Sequence, residues 1–328
     1  MSALLALVLL ASAPLQPGTY RRAAPAADGV HVAIFLYLPE RPRPGAPLVV
    51  LLPDLGTNHH VFDLDGQGLA RALSARGLAV ATLDWRGTGL SQVPARAPTL
   101  DDLLTLDLPA AANALGPARP LVLVGWGYSG ALALTAAAEQ LRARVRGVVS
   151  LNGVVRLDVP NLLVDRTLTT QGAPLDLARA LSRPAPSRRG NLFDLLWVHP
   201  SPIAPSERAD VLGQAMAPIA APQVAQVQIW MRAGATTLGG RPYPALLADL
   251  RAPVLAIIGT RDNWTHPEFA AAIRGAVPAA RLDFARLDTF EGAAHDVGHL
   301  GLVRGRQARD EVVPRIVRFV LAHAGDAP

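Results

Sequence analysis

Short apolar runs alternate with stretches of helical periodicity along most of this chain. The runs predict strands over 31–38 (HVAIFLYL), 47–53 (PLVVLLP), 78–84 (LAVATLD), 120–125 (PLVLVG), 145–151 (VRGVVSL), 253–259 (PVLAIIG) and 281–287 (RLDFARL). The middle runs are apolar almost throughout, as expected of strands covered on both faces. Helical patterns lie between them over 64–76, 100–115, 130–143, 267–276 and 308–323. Thr265 and Glu268 have the spacing of a capping box ahead of the fourth. Strand–helix alternation calls for right-handed crossovers, hence an α/β fold with a mostly parallel sheet and helices on both faces. Residues 156–250 break the rhythm: they are rich in Pro and Arg, with helical pieces and no convincing strand. The expected organisation is a core from 28–155 and 251–325 with 156–250 inserted as a helical cap.

Composition narrows this picture. Of 328 residues, 50% are hydrophobic and 17% charged, enough apolar material for a large core and too much for a disordered chain. All 31 basic residues are arginine and the net charge is +5. No clustered basic face or known binding module accompanies that charge, so no nucleic-acid partner is expected. The absence of cysteine excludes disulfides, thiolate metal sites and a cysteine nucleophile. The opening MSALLALVLLASAPLQPG carries an apolar run ending in Ala11-Ser12-Ala13. This fits a signal peptide over 1–13 and export to the periplasm or medium, and it is too short for a membrane span. Cytoplasmic residence is the alternative. Pro, Gly or charge breaks every other long apolar stretch, so no transmembrane segment is expected.

In open parallel sheets, ligands bind beyond the carboxyl ends of the strands. The stretch with most to say there is LVLVGWGYSGALAL, 121–134. Gly125, Gly127 and Gly130 spell G-x-G-x-x-G, a dinucleotide loop. That reading needs an acidic residue at the end of the next strand. The chain offers Ser150-Leu151-Asn152 instead, and no cofactor is expected. Gly127, Ser129 and Ala131 nearly spell G-x-S-x-G, the nucleophile elbow of a serine hydrolase. That reading needs an acid after a later strand and a histidine after the last one. Asp262 and His299 stand in those places. A histidine there acts as general base, and the aspartate fixes its tautomer.

With these residues in view, the chain resembles the α/β-hydrolase superfamily, specifically its lipase- and lysophospholipase-like esterases. The resemblance covers nearly everything after about residue 28. It is carried by LLPDLGTNHHVFDLDGQGLARALSARGLAVATLDWRGTGLS, by APVLAIIGTRDNWTHPE around Asp262, and by GHLGLVRGRQARDEVVPRIVRFV after His299. It implies an α/β-hydrolase fold and hydrolysis of a carboxylic ester or lipid-like small molecule. Two departures stand out. The family's strand–elbow–helix spacing lays Gly127, not Ser129, on the nucleophile; the alternative register, with Ser129 as nucleophile, stays open. Where the family has His-Gly, this chain has Pro53-Asp54. By position the oxyanion donors are the N–H groups of Leu55 and Tyr128. Asp54 is expected to point outward or to cap the following turn, because a carboxylate beside a developing oxyanion repels it.

Glycine at the nucleophile position implies impaired hydrolysis. The alternative is a non-catalytic member that binds a small apolar ligand or a protein partner. His295, Asp296 and His299 form an H-D-x-x-H cluster, and His59 and His60 are adjacent, yet nothing in the sequence makes them converge, so no metal is expected. DWRGTGLS, 84–91, reads as a structural turn.

Overall fold

The computed structural model describes residues 16–156, 173–185, 190–233, 237–238 and 241–324. The predicted signal peptide, 1–13, lies outside them.

All seven predicted strands are present: β2 (His31–Leu38), β3 (Leu48–Leu52), β4 (Val80–Leu83), β5 (Leu121–Trp126), β6 (Val145–Leu151), β9 (Val254–Gly259) and β10 (Leu282–Leu287). An eighth, β1 (Gly18–Pro25), pairs antiparallel with β2 along its whole length. Its sequence GTYRRAAP has neither alternation nor an apolar run, and most of it is exposed. The sheet runs in the order β1-β2-β4-β3-β5-β6-β9-β10, with every pair from β4 onward parallel. Every residue of β3, β4, β5 and β9 is buried, which accounts for apolar runs interrupted among them only by Thr82.

Helices cover both faces. We label α1 (Leu69–Ser74), α2 (100–114) and α3 (Tyr128–Ala138), and α4 (Val313–Ala322) near the end of the chain. In α4 the buried residues Val313, Ile316, Val317 and Val320 fall at helical spacing on one face. The helix after Asp262 starts one residue later than its predicted cap. His266 occupies the N-cap position, because the Thr265 hydroxyl is bonded to Asp262 instead.

Between β6 and β9 the described residues are mainly helical. They add one short hairpin that the sequence does not signal, β7 (Thr237–Leu238) with β8 (Arg241–Pro242). This segment lies against the loop after β3: Ala217 N donates to Gly56 O, and Asn58 Nδ2 donates to Gln214 O.

β3 has β4 on one side and β5 on the other, so the chain winds away from it in both directions. A crevice opens at such a switch point, beyond the carboxyl ends of the diverging strands. The loops after β3 and β5 therefore meet, and they carry Asp54 and Gly127.

Candidate functional site

The sharp turn between β5 and α3 falls at Gly127, whose backbone has φ 57° and ψ −127°. A positive φ favours glycine, and space demands it as well. A Cβ on Gly127 would overlap Asp54 Oδ2, Cγ and Oδ1. Three residues on, a Cβ on Gly130 would run into the Cα of Gly153. Close helix–strand packing thus explains the glycine pattern that resembles a dinucleotide loop.

Asp54 corrects the expectation drawn for it. Its carboxylate points inward and is fully buried. Oδ1 accepts from Leu55 N at 2.7 Å and from Tyr128 N at 2.6 Å. Oδ2 lies 3.1 Å from His299 Nε2. The physical reason lies in what surrounds it. With no side chain on residue 127 the volume is free, and two buried N–H groups need an acceptor; an unpaired one costs about 1–3 kcal/mol. The N–H···O distances are those of charge-assisted bonds to an ionised carboxylate. The loop itself is fixed through Pro53, whose carbonyl accepts from Trp85 Nε1 at 2.9 Å and from Ser129 Oγ at 2.5 Å. The Ser129 hydroxyl is thus engaged with Pro53, while the group 3.1 Å from His299 Nε2 is Asp54 Oδ2.

His299 and Asp262 do come together: His299 Nδ1 lies 2.7 Å from Asp262 Oδ2. Asp262 is held from several sides. Oδ1 accepts from Trp264 N and Thr265 N, both at 2.8 Å. Oδ2 accepts from Thr265 Oγ1 at 2.8 Å and from Asn152 Nδ2 at 2.6 Å. Asn152 follows β6 with φ 45°, and its Oδ1 accepts from Gly259 N, tying the acid loop to two strands. The imidazole thus lies between two carboxylates. Burial alone would push its pKa down; Asp262 and Asp54 outweigh this and hold it at about 9, so it is an imidazolium at neutral pH. Burial pushes the Asp54 carboxyl up, against the opposing pull of His299 and the two N–H groups.

An aromatic wall encloses the histidine. Trp126 stacks on it with centroids 4.3 Å apart, and Trp197 meets it edge-on at 4.8 Å. Trp264 packs on Trp197 at 5.5 Å. All three tryptophans are buried, yet the indole N–H groups of Trp197 and Trp264 have no hydrogen-bond partner.

The other residues marked in the sequence go elsewhere. Asp296 pairs with Arg261 and accepts from Thr289. His59 Nδ1 lies 2.9 Å from Asp84 Oδ1. Among the described residues no three His, Asp or Glu side chains could together hold a metal ion. The 84–91 turn is tied in structurally: Asp84 accepts from Leu90 N, and Arg86 pairs with Asp107 and Asp28. Sequence reasoning marked Asn152 as a strand-end residue and Thr265 as a helix cap but not as partners of Asp262, and it missed the three tryptophans. The D-x-x-T spacing of Asp262 and Thr265 signals the Asp-centred turn, but nothing local marks the tryptophans as neighbours.

Comparison with known proteins agrees with this architecture. The chain belongs to the alpha/beta hydrolase family, whose model matches residues 49–314. It is 30% identical over 256 residues to polyketide synthase ThaQ of Burkholderia thailandensis, a match covering 76% of this chain and 11% of that protein. The chain thus spans about a tenth of that relative's length. Among solved structures it is similar to an esterase from Thermogutta terrifontis, with 19% identity and a TM-score of 0.62 over 94% of this chain and 100% of that one. It is likewise similar to the enol-lactonase from Burkholderia xenovorans, with 17% identity and a TM-score of 0.66 over 92% and 100%. At these identities the structural likenesses speak for the fold. No described helix is long and apolar enough to cross a membrane.

Proposed function

We propose that this α/β-hydrolase family member is a hydrolase that attacks its substrate with the Asp54 carboxylate. Asp54 takes the part that the sequence gives to a serine of an ester hydrolase, and the 156–250 segment serves as the cap. One observation carries the reading: Asp54 Oδ1 sits between the N–H groups of Leu55 and Tyr128 while Oδ2 faces His299 Nε2. Carboxylates are competent covalent nucleophiles, and this one is oriented by three donors.

In the first step Oδ2 bonds to the electrophilic carbon, and the bond to the leaving group breaks with its electron pair. The product is a neutral derivative of Asp54, a mixed anhydride when the carbon is a carbonyl carbon and an ester when it is saturated. His299 thereby loses one of the two charges that keep it protonated. It gives its Nε2 proton to the departing group or to water and becomes a base when one is needed. Asp262 holds Nδ1–H, and Nε2 takes a proton from water as the water oxygen adds to Asp54 Cγ. Negative charge then develops on Oδ1, where the Leu55 and Tyr128 N–H groups already point. Collapse expels the substrate-derived oxygen, which takes the His299 proton; the Asp54 acid so formed, carrying one oxygen from water, then loses its own proton to Nε2, which restores the carboxylate and the imidazolium.

Turnover in water enriched in heavy oxygen tests this, with p-nitrophenyl esters and alkyl electrophiles as the substrate panel. Hydrolysis through Asp54 leaves the heavy atom in the tryptic peptide that contains it, Asp54→Asn abolishes turnover, and Ser129→Ala keeps it. Turnover without label in that peptide overturns the reading. So does labelling of Ser129 by a fluorophosphonate. Absence of turnover on the whole panel favours the non-catalytic, ligand-binding alternative.

A further inference from the structure

We infer that a cleft between β10 and α4 binds a lipid-like phosphate monoester, with the phosphate on Arg315 and Arg318 and the alkyl chain against the sheet. The hydrolysis proposed above makes no use of this cleft, and the inference stands apart from that reading.

Position and size come first. The cleft has a volume of about 420 Å³, within the range of small-molecule sites. The starts of β9 and β10 contribute Val254, Leu255, Leu282 and Ala285, and α4 contributes Phe319 and Ala322. The cleft therefore lies toward the amino ends of these strands, whereas Asp54 follows the carboxyl end of β3. Its apolar lining gains from being covered by an alkyl chain.

Charge is the second argument. Arg281, Arg315 and Arg318 line the same cleft, and Asp283 is the one carboxylate beside them. Arg315 and Arg318 stand three residues apart on α4, so they share a face, and Ala322 continues that stripe. The helix dipole does not call for them, because α4 has no basic residue in its last turn. Arg281 donates to the Leu250 carbonyl and Arg315 to the Glu311 carbonyl. Among the described residues, none of the three guanidinium groups pairs with a carboxylate. Like charges side by side on a helix repel, and an anion between them removes that repulsion. A larger cleft of about 620 Å³ beside α1 is different. There Arg71 pairs with Asp63 and Arg309 with Asp310, so its positive charge is largely neutralised within the chain.

The amount of charge selects the head group. Three guanidinium groups exceed Asp283 by two positive charges. His323 adds none when neutral, with Nδ1–H given to the Phe319 carbonyl. A phosphate monoester carries a charge of about −1.5 to −2 at neutral pH, and a fatty acid only half of that. Guanidinium also meets phosphate through two parallel hydrogen bonds.

Calorimetric titration of the whole chain with n-octyl phosphate at low salt tests this. Octanoate, n-octyl glucoside and inorganic phosphate are the comparison ligands. n-Octyl phosphate should saturate one site at about 1 mM or below. Each comparison ligand lacks one feature and should bind more weakly. Equal binding of octanoate overturns the phosphate head, of the glucoside the charge, and of inorganic phosphate the alkyl chain. Arg315→Gln and Arg318→Gln together should weaken n-octyl phosphate about tenfold. Ala322→Trp, at an exposed position, fills the cleft and should block binding. Asp54→Asn should leave it unchanged. Binding that survives both cleft variants, or that is lost with Asp54→Asn, places the ligand elsewhere and overturns the inference. So does the absence of saturable binding up to about 10 mM. A wild-type measurement answers for a variant that fails to fold: raising NaCl from about 50 to about 500 mM should weaken n-octyl phosphate. Binding indifferent to salt removes the charged site.

Discussion

The imidazole of His299, clamped between two buried carboxylates, ties the stability of the whole fold to pH. Its folded-state pKa of about 9 lies above the value near 6.5 of an unfolded chain. A group raised in this way contributes stability that is fully present below pH 6.5. The contribution falls away as pH rises through the folded value. Across that window it amounts to about 3 kcal/mol, with a slope approaching about 1.4 kcal/mol per pH unit. Against the 5–15 kcal/mol that typically holds a domain together, this is large. Burial also pushes the Asp54 carboxyl up, so its own contribution has the same sign and is lost from its ordinary value near 3.8 upward. Other resolved shifts fall outside the window. His60 is lowered by burial and acts below 6.5, and Asp107 is raised to about 6 and acts between 3.8 and that value. The perturbation is Asp54→Asn. The amide oxygen can still accept from Leu55 and Tyr128, while its NH₂ can donate to a neutral Nε2. His299 then loses one carboxylate, and its pKa drops toward that of free imidazole. Urea unfolding from pH 6 to 10 is the assay. Wild type should lose about 3 kcal/mol between 6.5 and 9, and Asp54→Asn markedly less. A wild-type curve flat over that range would refute the charged clamp, and so would superimposable curves.

Gly127→Ser by itself should be destabilised by about 1–3 kcal/mol, since its Cβ enters the volume of the Asp54 carboxylate. It should not react with a fluorophosphonate, whereas the double variant with Asp54→Gly should regain stability and be labelled. Labelling of the single variant would show that Asp54 does not fill the turn. Arg86→Ala should cost about 3–5 kcal/mol, measured in urea, because it strands the buried Asp107. A loss under about 1 kcal/mol would mean that Asp107 finds another partner.

Local pattern was enough wherever burial is uniform along an element. The core strands read directly from the sequence because both faces are covered, so nearly every position is apolar. The same logic fails at an edge: β1 is held by pairing with β2 alone, and its residues carry no pattern. Asp262 and His299 stood out because each follows a strand at the rim of the crevice. The capping pair Thr265 and Glu268 misled for an electrostatic reason: a hydroxyl that can cap a helix can instead serve a buried carboxylate, and Asp262 is two turns of logic away from any propensity scale. The inward orientation of Asp54 was the least legible feature. Its direction is set by the missing side chain at Gly127, far away in sequence, and by donors that exist only once the two loops meet. Repulsion between Asp54 and a developing oxyanion was sound reasoning. It presumed a substrate oxygen in the hole that the carboxylate itself occupies.

The shared volume at the crevice also restricts how such a chain can change. Positions 54 and 127 cannot both carry a side chain reaching into it without strain, because a Cβ on residue 127 meets the Asp54 carboxylate. A descendant or designed variant that moves its reactive group from one loop to the other has no smooth route. One path passes through a chain with glycine at both positions, which holds an imidazole and two donors but nothing to attack with. The other passes through a crowded chain with both side chains present, destabilised as Gly127→Ser is. Each chemistry is thereby set apart from the other by an intermediate that lacks either its nucleophile or part of its stability.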